Sequence, residues 1–237
     1  MVNWSNAWNS FYDQMITKGG YNTALQGLIT TIEIAVLGLL IGIVLGTVIA
    51  LVKVMPKYNP LARIASAVCN IYVGFFRGTP MVVQLLLGYF VILPMMGITA
   101  DGLVVAIIIF GLNSGAYVSE IMRAGIQSVD PGQLEAGRAV GLPYRTAMMK
   151  IVIPQSIKNI LPTLGNEFIV LIKETSIVSF IAVVDLTKAF KAIGDATYEY
   201  IIPYLMLALV YLVLVIFITW LIHLMERRLN RDGRKDK

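Results

Sequence analysis

The chain has 237 residues, 57% of them hydrophobic and only 14% charged, with a mean hydropathy of +0.77 and a formal net charge of +5. Soluble domains average about 25% charged residues, so this is a membrane composition; its apolar runs recur along the whole length and leave no room for a separate soluble domain of ordinary size. The lone cysteine, Cys69, excludes an internal disulfide and a cysteine-based metal cluster, and the lone histidine, His223, reads as a helix-end residue near the close of the last apolar run.

The N-terminus, MVNWSNAWNSFYDQM, lacks a basic stretch followed by an apolar one, so no cleaved signal peptide is expected. Trp4, Trp8, Phe11 and Met15 recur at helical spacing and predict a short helix on the outer membrane surface, within residues 1–22. A frayed tail is the alternative. Five apolar segments follow, at about 23–52, 64–93, 102–122, 160–184 and 201–224, each long enough for a bilayer core that needs about 20 helical residues. In the first, Gly38, Gly42 and Gly46 make a smooth strip for close helix packing, against a neighbour in the same chain or in a second subunit. The second is broken by Arg77-Gly78-Thr79-Pro80. Its halves are too short to cross alone, and Pro80 removes a backbone bond and disfavours helix at Thr79. One kinked crossing is expected, with a re-entrant hairpin as the alternative.

Five spans put the two ends on opposite sides, and the basic residues orient them. Lys53, Lys57, Arg63, Arg123, Arg138, Arg145, Lys150, Lys158, Arg227, Arg228, Arg231, Arg234, Lys235 and Lys237 fall on one side; Lys18, Lys188 and Lys191 fall on the other. This predicts a cytoplasmic C-terminus and an external N-terminus. The net positive charge is then a topology signal rather than a nucleic-acid footprint, and the tail can touch anionic lipid.

Between the third and fourth spans lies "EAGRAVGLPYRTAMMKIVIP", Glu135 to Pro154, polar and mixed in charge. Asp130 is placed to cap a helix, Pro131 suits its first position, and Gln133 completes a capping-box-like pattern. Gly141 is placed to end that helix near Val140, Pro143 to begin a second, and Pro154 to end it. The expectation is a cytoplasmic helix–turn–helix elbow at about 130–154, suited to docking against another protein.

Here the chain resembles the permeases of ABC importers. Glu135-Ala136-Gly137, then Gly141, Ile151 and Ile153-Pro154, match the spacing of their EAA loop, with Gly137 in place of the second alanine and Ile153 in place of leucine. The stretches "FRGTPMVVQLLL" (75–86), "NSGAYVSEIMRAGIQSVDPGQLEAGRAVGL" (113–142) and "IPQSIKNILPTLGNEFIVLIKETSIVS" (153–179) look like the polar amino acid subfamily. The resemblance implies an all-α membrane protein with the five-helix core of type I importers, in which two such subunits form the pathway. It implies a permease domain over 23–226 and a basic cytoplasmic tail over 227–237. It implies that Glu135, Ala136, Gly137, Gly141, Ile151 and Pro154 seat on a cytoplasmic ATPase, and that an external solute-binding protein delivers an amino acid, polar or basic. The sequence contains no Gly-x-x-x-x-Gly-Lys-Ser/Thr phosphate loop, so ATP and Mg belong to a partner chain. No cofactor or metal is expected in this chain.

Charged groups inside spans are functional hypotheses by default. Glu33, Arg77, Glu120, Glu167, Lys173 and Glu174 lie in or at the ends of spans. Glu167 and Glu174 share a helix face with Val170 and Leu171. A free amino acid offers an ammonium and a carboxylate. Glu167 could take a positive group, Asn113, Ser114 and Gln84 either end, and Arg77 the carboxylate or a structural role. A passage without a membrane site is the alternative. An ion-coupled transporter or channel would also use span charges, but has no need of a docking elbow. A membrane enzyme lacks a nucleophile–base set or metal cluster here.

Overall fold

The computed structural model describes residues 4–54 and 60–232, and every regular element among them is helical. Lys57 and residues 233–237 of the basic tail lie outside the described residues. A short helix, α1 (Trp4–Tyr12), leads through a π-helical turn into α2 (Gly20–Val54). At about 1.5 Å per residue, the 35 residues of α2 extend for about 52 Å.

The glycine strip of α2 packs within the chain, against α6 (Gly102–Gln127). A Cβ added at Gly38 would lie 3.0 Å from Phe110, at Gly42 2.5 Å from the Ser114 hydroxyl and at Gly46 2.7 Å from Val118. Gly111 and Gly115 return the fit, holding Ile41 and Leu45. These pairs advance together along both helices, so α2 and α6 are parallel. The intervening chain must therefore travel back to the end where α2 began.

That return is made by α3 (Pro60–Gly78) and the run α4 (Met81–Leu87), a π-helical turn (Gly88–Ile92) and α5 (Leu93–Met95). The two parts meet at a bend of 108°, far sharper than a proline kink. Pro80 adopts an extended conformation, and the Gln84 amide staples the break by donating to the Phe76 and Thr79 carbonyls at 2.9 and 3.0 Å. Beyond the break Gln84 meets Asn113, and Gly88 then meets Ile109, so α4 runs against α6. The segment thus makes one net passage, but as a broken helix rather than the mildly kinked one expected.

After α6 the chain forms α7 (Pro131–Ala139) and α8 (Tyr144–Ala147), passes a π-helical turn (Met148–Val152) and enters α9 (Ile153–Glu174). Gly125 receives Ile160, while Leu164 joins Val118 in one cluster, so α9 is antiparallel to α6. The last helix, α11 (Ile201–Asp232), is antiparallel to α9: Gly165 meets Ile222, and Leu171 and Ile172 share a cluster with Ile218 and Tyr211. Five passages alternate in direction. Among the described residues α2, α6 and α11 are long and apolar enough to cross a membrane singly, and the bent pair makes a fourth. The 22 residues of α9 reach about 33 Å, enough to cross, but carry Lys158, Glu167, Lys173 and Glu174.

Two expected boundaries move. Pro154 does not end the second elbow helix; it sits in the first turn of α9, directly after the π-helical turn, whose wider spacing absorbs the missing donor. The Gln155 amide and the Ser156 hydroxyl donate to the Ile151 and Val152 carbonyls there, each at 2.9 Å. The 160–184 span starts at Ile153 and ends at Glu174, giving way to a 3₁₀ stretch, Thr175–Ile181. The Thr175 and Ser179 hydroxyls donate to carbonyls three residues back, at 2.7 and 3.0 Å, and compete with the α-helical pattern.

The α2–α6 contact yields a direct test. Gly42→Leu should lower the thermal unfolding midpoint in detergent, since overpacking costs about 1–3 kcal/mol. Gly74→Leu, where an added Cβ meets nothing within 4 Å, should not.

Candidate functional site

The elbow is built by local chemistry. The Asp130 carboxylate caps α7 by accepting from the Gly132 amide at 2.8 Å, one residue short of the capping-box partner at Gln133. At its other end the Gly141 amide donates to the Arg138 carbonyl (3.0 Å) and the Leu142 amide to the Gly137 carbonyl (3.1 Å). That pair is a Schellman closure, which needs a left-handed residue, and Gly141 has φ +89°. Gly137 is buried under Ile151: an added Cβ would approach the Ile151 Cδ1 atom to 2.7 Å. The glycine at the second alanine position and Ile151 thus fit each other and lock α7 onto the second arm. Glu135, Ala136 and Pro154 are exposed. So are apolar residues that sequence reasoning passed over, Val140 at 79% and Met149 at 66% exposure. Their signal was an apolar side chain in a segment too polar for lipid.

The helix break shapes a cavity of about 550 Å³, inside the usual range for small-molecule sites. Thr79, Asn113, Tyr117, Glu167, Val170 and Glu174 contribute to its walls. Asn113 and Glu167 therefore share one cavity, and Glu174 joins them from the same face of α9. Gln84 and Ser114 stand behind the wall. The Asn113 amide donates to Gln84 Oε1 at 2.9 Å, while Gln84 spends its own NH₂ on the break, so this pair positions Asn113. The Ser114 hydroxyl is buried against Gly42 and beside the Glu167 carboxylate, without a hydrogen bond of ordinary geometry.

Arg77 does not line this cavity. It borders an adjoining one of about 440 Å³, together with Tyr117, Glu120, Ser128, Asn159 and Thr163, so Tyr117 is the shared wall. The Arg77 guanidinium lies 5.5 Å from the Tyr117 ring centre and 4.0 Å from Glu120. Glu120 already accepts Lys53 at 2.6 Å and Arg123 at 2.7 Å. One carboxylate ties α2, α3 and α6 together at the elbow end. Glu33 and Lys173 are exposed on the bundle surface, away from both cavities.

Residues 38–231 match the family model of the binding-protein-dependent transport system inner membrane component. The chain belongs to that family. Among relatives, the arginine transport system permease protein ArtQ of Bacillus subtilis is 41% identical over 88% of this chain and 93% of its own length. A putative glutamine transport system permease protein GlnP of Rickettsia bellii is 39% identical over 86% of this chain and 92% of its own. A solved amino acid ABC transporter with histidines is 42% identical, covers 92% of this chain and 98% of its own, and superposes with a TM-score of 0.82. The MetNI methionine ABC transporter, at 18% identity and a TM-score of 0.72, shares the fold. This permease therefore has the type I ABC importer fold, and the match spans both cavities and the whole elbow.

Proposed function

We propose that this permease carries polar or cationic amino acids inward as one subunit of an ATP-driven importer, with a cytoplasmic ATPase seated on the elbow. Residues 1–22 face outside, 23–226 form the transport domain, and 227–237 make a basic cytoplasmic tail. A solute-binding protein docks outside, and a second permease subunit, identical or related, completes the pathway. ATP and Mg belong to the ATPase. The observation that carries this reading is the elbow itself: a Schellman-closed helix pair that leaves the bundle and presents Val140 and Met149. The central cavity supports the substrate class, since Glu167 and Glu174 line it without a lysine or arginine. A cationic side chain and an α-ammonium both find acceptors there, and the Asn113 carbonyl, whose NH₂ is held by Gln84 and the Phe76 carbonyl, adds another acceptor. The named substrates of two relatives, arginine and glutamine, fit that chemistry.

Three experiments test this reading. Single cysteines at positions 150 and 190, in a Cys69→Ser background, report orientation through an impermeant reagent in intact cells. Position 190 should label and position 150 should not; the reverse refutes the orientation. Glu167→Gln should depress uptake of arginine more than of glutamine, because arginine offers a second positive group. Equal loss for both would leave Glu167 a structural role. For coupling, Gly141→Asp forces an L-residue into a left-handed backbone, at about 1 kcal/mol or more. Among the described residues, nothing beyond its two chain neighbours lies within 4 Å of an added Cβ, so the subunit should still insert and fold. Its ATPase retention and substrate-stimulated hydrolysis in proteoliposomes should fall. Glu135→Ala should change both far less, since an exposed ion pair contributes under about 1 kcal/mol. Full coupling in Gly141→Asp would remove the elbow from force transmission.

A further inference from the structure

At the end of the bundle opposite the elbow, α10 (Leu186–Thr197) and α11 form a hairpin. It is rooted beside α2: the Leu186 amide donates to Thr31 Oγ1 at 3.4 Å, and Gly27 admits the Asp185 backbone. The buried Asp185 carboxylate caps α10 by accepting from the Thr187 and Lys188 amides, both at 2.9 Å. Twelve residues of helix then rise about 18 Å. Leu186, Phe190 and Ile193 face inward onto Ala7, Phe11 and Ile202. The opposite face and the tip, Tyr198-Glu199-Tyr200, are open to the surroundings.

The tip has an anomaly. Among the described residues two non-glycines have positive φ, Ala182 and Tyr198, and they bracket α10. Tyr198 closes the helix at φ +55°, a position that glycine or asparagine fills with less strain. It is also 87% exposed, so burial does not compensate. Its neighbours are held firmly. The Tyr200 ring occupies the space beside Gly194, its hydroxyl donates to Asp195 at 2.8 Å, and it stacks on Tyr204 at 5.9 Å. Lys191 pairs with the other Asp195 oxygen at 3.3 Å, and the Glu199 amide donates to Thr197 Oγ1 at 3.3 Å. The Tyr200 hydroxyl holds the Asp195 carboxyl below the usual carboxylate range. A strained, outward tyrosine on a rigid base, rimmed by paired charges, has the chemistry of an interface anchor. Tyrosine is enriched at such positions, and pre-organisation lowers the entropic cost of docking.

We infer that Tyr198, presented by the Asp195–Tyr200 platform at the tip of the α10–α11 hairpin, is an anchor by which this permease engages its solute-binding protein. The inference rests on the proposed importer function. The charged rim disfavours insertion among lipid chains. The family is binding-protein-dependent, and the elbow occupies the other end of the bundle.

The test uses the permease–ATPase complex in nanodiscs, titrated with its cognate solute-binding protein loaded with arginine, with ATPase rate as the readout. Tyr198→Gly and Tyr198→Ala should each raise the half-stimulating concentration at least tenfold and leave the unstimulated rate unchanged. Tyr198→Gly should also keep or raise the thermal midpoint, because glycine relieves the backbone; a structural tyrosine would lower it. The shift should persist in detergent, where an interfacial anchor would have no bilayer to sit in. A half-stimulating concentration within twofold of wild type overturns the inference. So does a shift that vanishes in detergent, or one that tracks a fall in thermal midpoint. If the wild-type complex shows no stimulation at all, the importer reading fails and the docking inference falls with it.

Discussion

The parallel contact of α2 with α6 governs the rest of the molecule. Lipid gives helices no hydrophobic reason to associate, so close backbone approach and van der Waals fit must hold them. Gly38, Gly42 and Gly46 on one side, with Gly111 and Gly115 on the other, supply that approach. Because the two helices are parallel, the chain between them has to return, and it does so through a broken helix. The break lends Thr79, Pro80 and Met81 to the wall of the central cavity. Irregular backbone at membrane depth is tolerated where it lines a cavity and its polar groups find partners. Gln84 and Asn113 provide those partners.

Charge is distributed along the bundle in keeping with this frame. Towards the elbow, Glu120 gathers Lys53, Arg123 and, more distantly, Arg77. Next to it, across Tyr117, the walls turn acidic with Glu167 and Glu174. The two cavities are chemically unlike, though they share a wall. At the far end, the polar side chains of α10 secure a turn rather than line a cavity.

Much of the elbow was legible because its signals are local. Asp130, Pro131, Gly141 and Pro143 each act within a turn or two, through caps and backbone angles. Pro154 was misread because proline ends a regular helix, whereas a π-helical turn just before it removes the conflict. The 3₁₀ stretch after Glu174 was missed for a related reason. Apolar composition continues through Ile177, Phe180 and Ile181, and composition does not report whether hydroxyls three residues apart tighten the helix.

The sequence by itself determined the membrane class, the position of the apolar segments, the bias of basic residues and the grammar of the elbow. These depend on composition, on segment length against bilayer thickness and on near-neighbour geometry. Only the tertiary structure decided which polar residues meet. Asn113 and Glu167 are far apart in sequence and share a cavity. Arg77, two residues from Thr79, faces the adjoining one because the chain bends by 108° immediately after it. The partner of the glycine strip was likewise a tertiary matter: the strip offers a smooth surface to any helix, and only α6, with its own small residues in register, fits it within the chain. Tyr198 was equally silent in the sequence, since a tyrosine in a polar connection between two spans reveals neither its backbone angle nor the exposure of its ring.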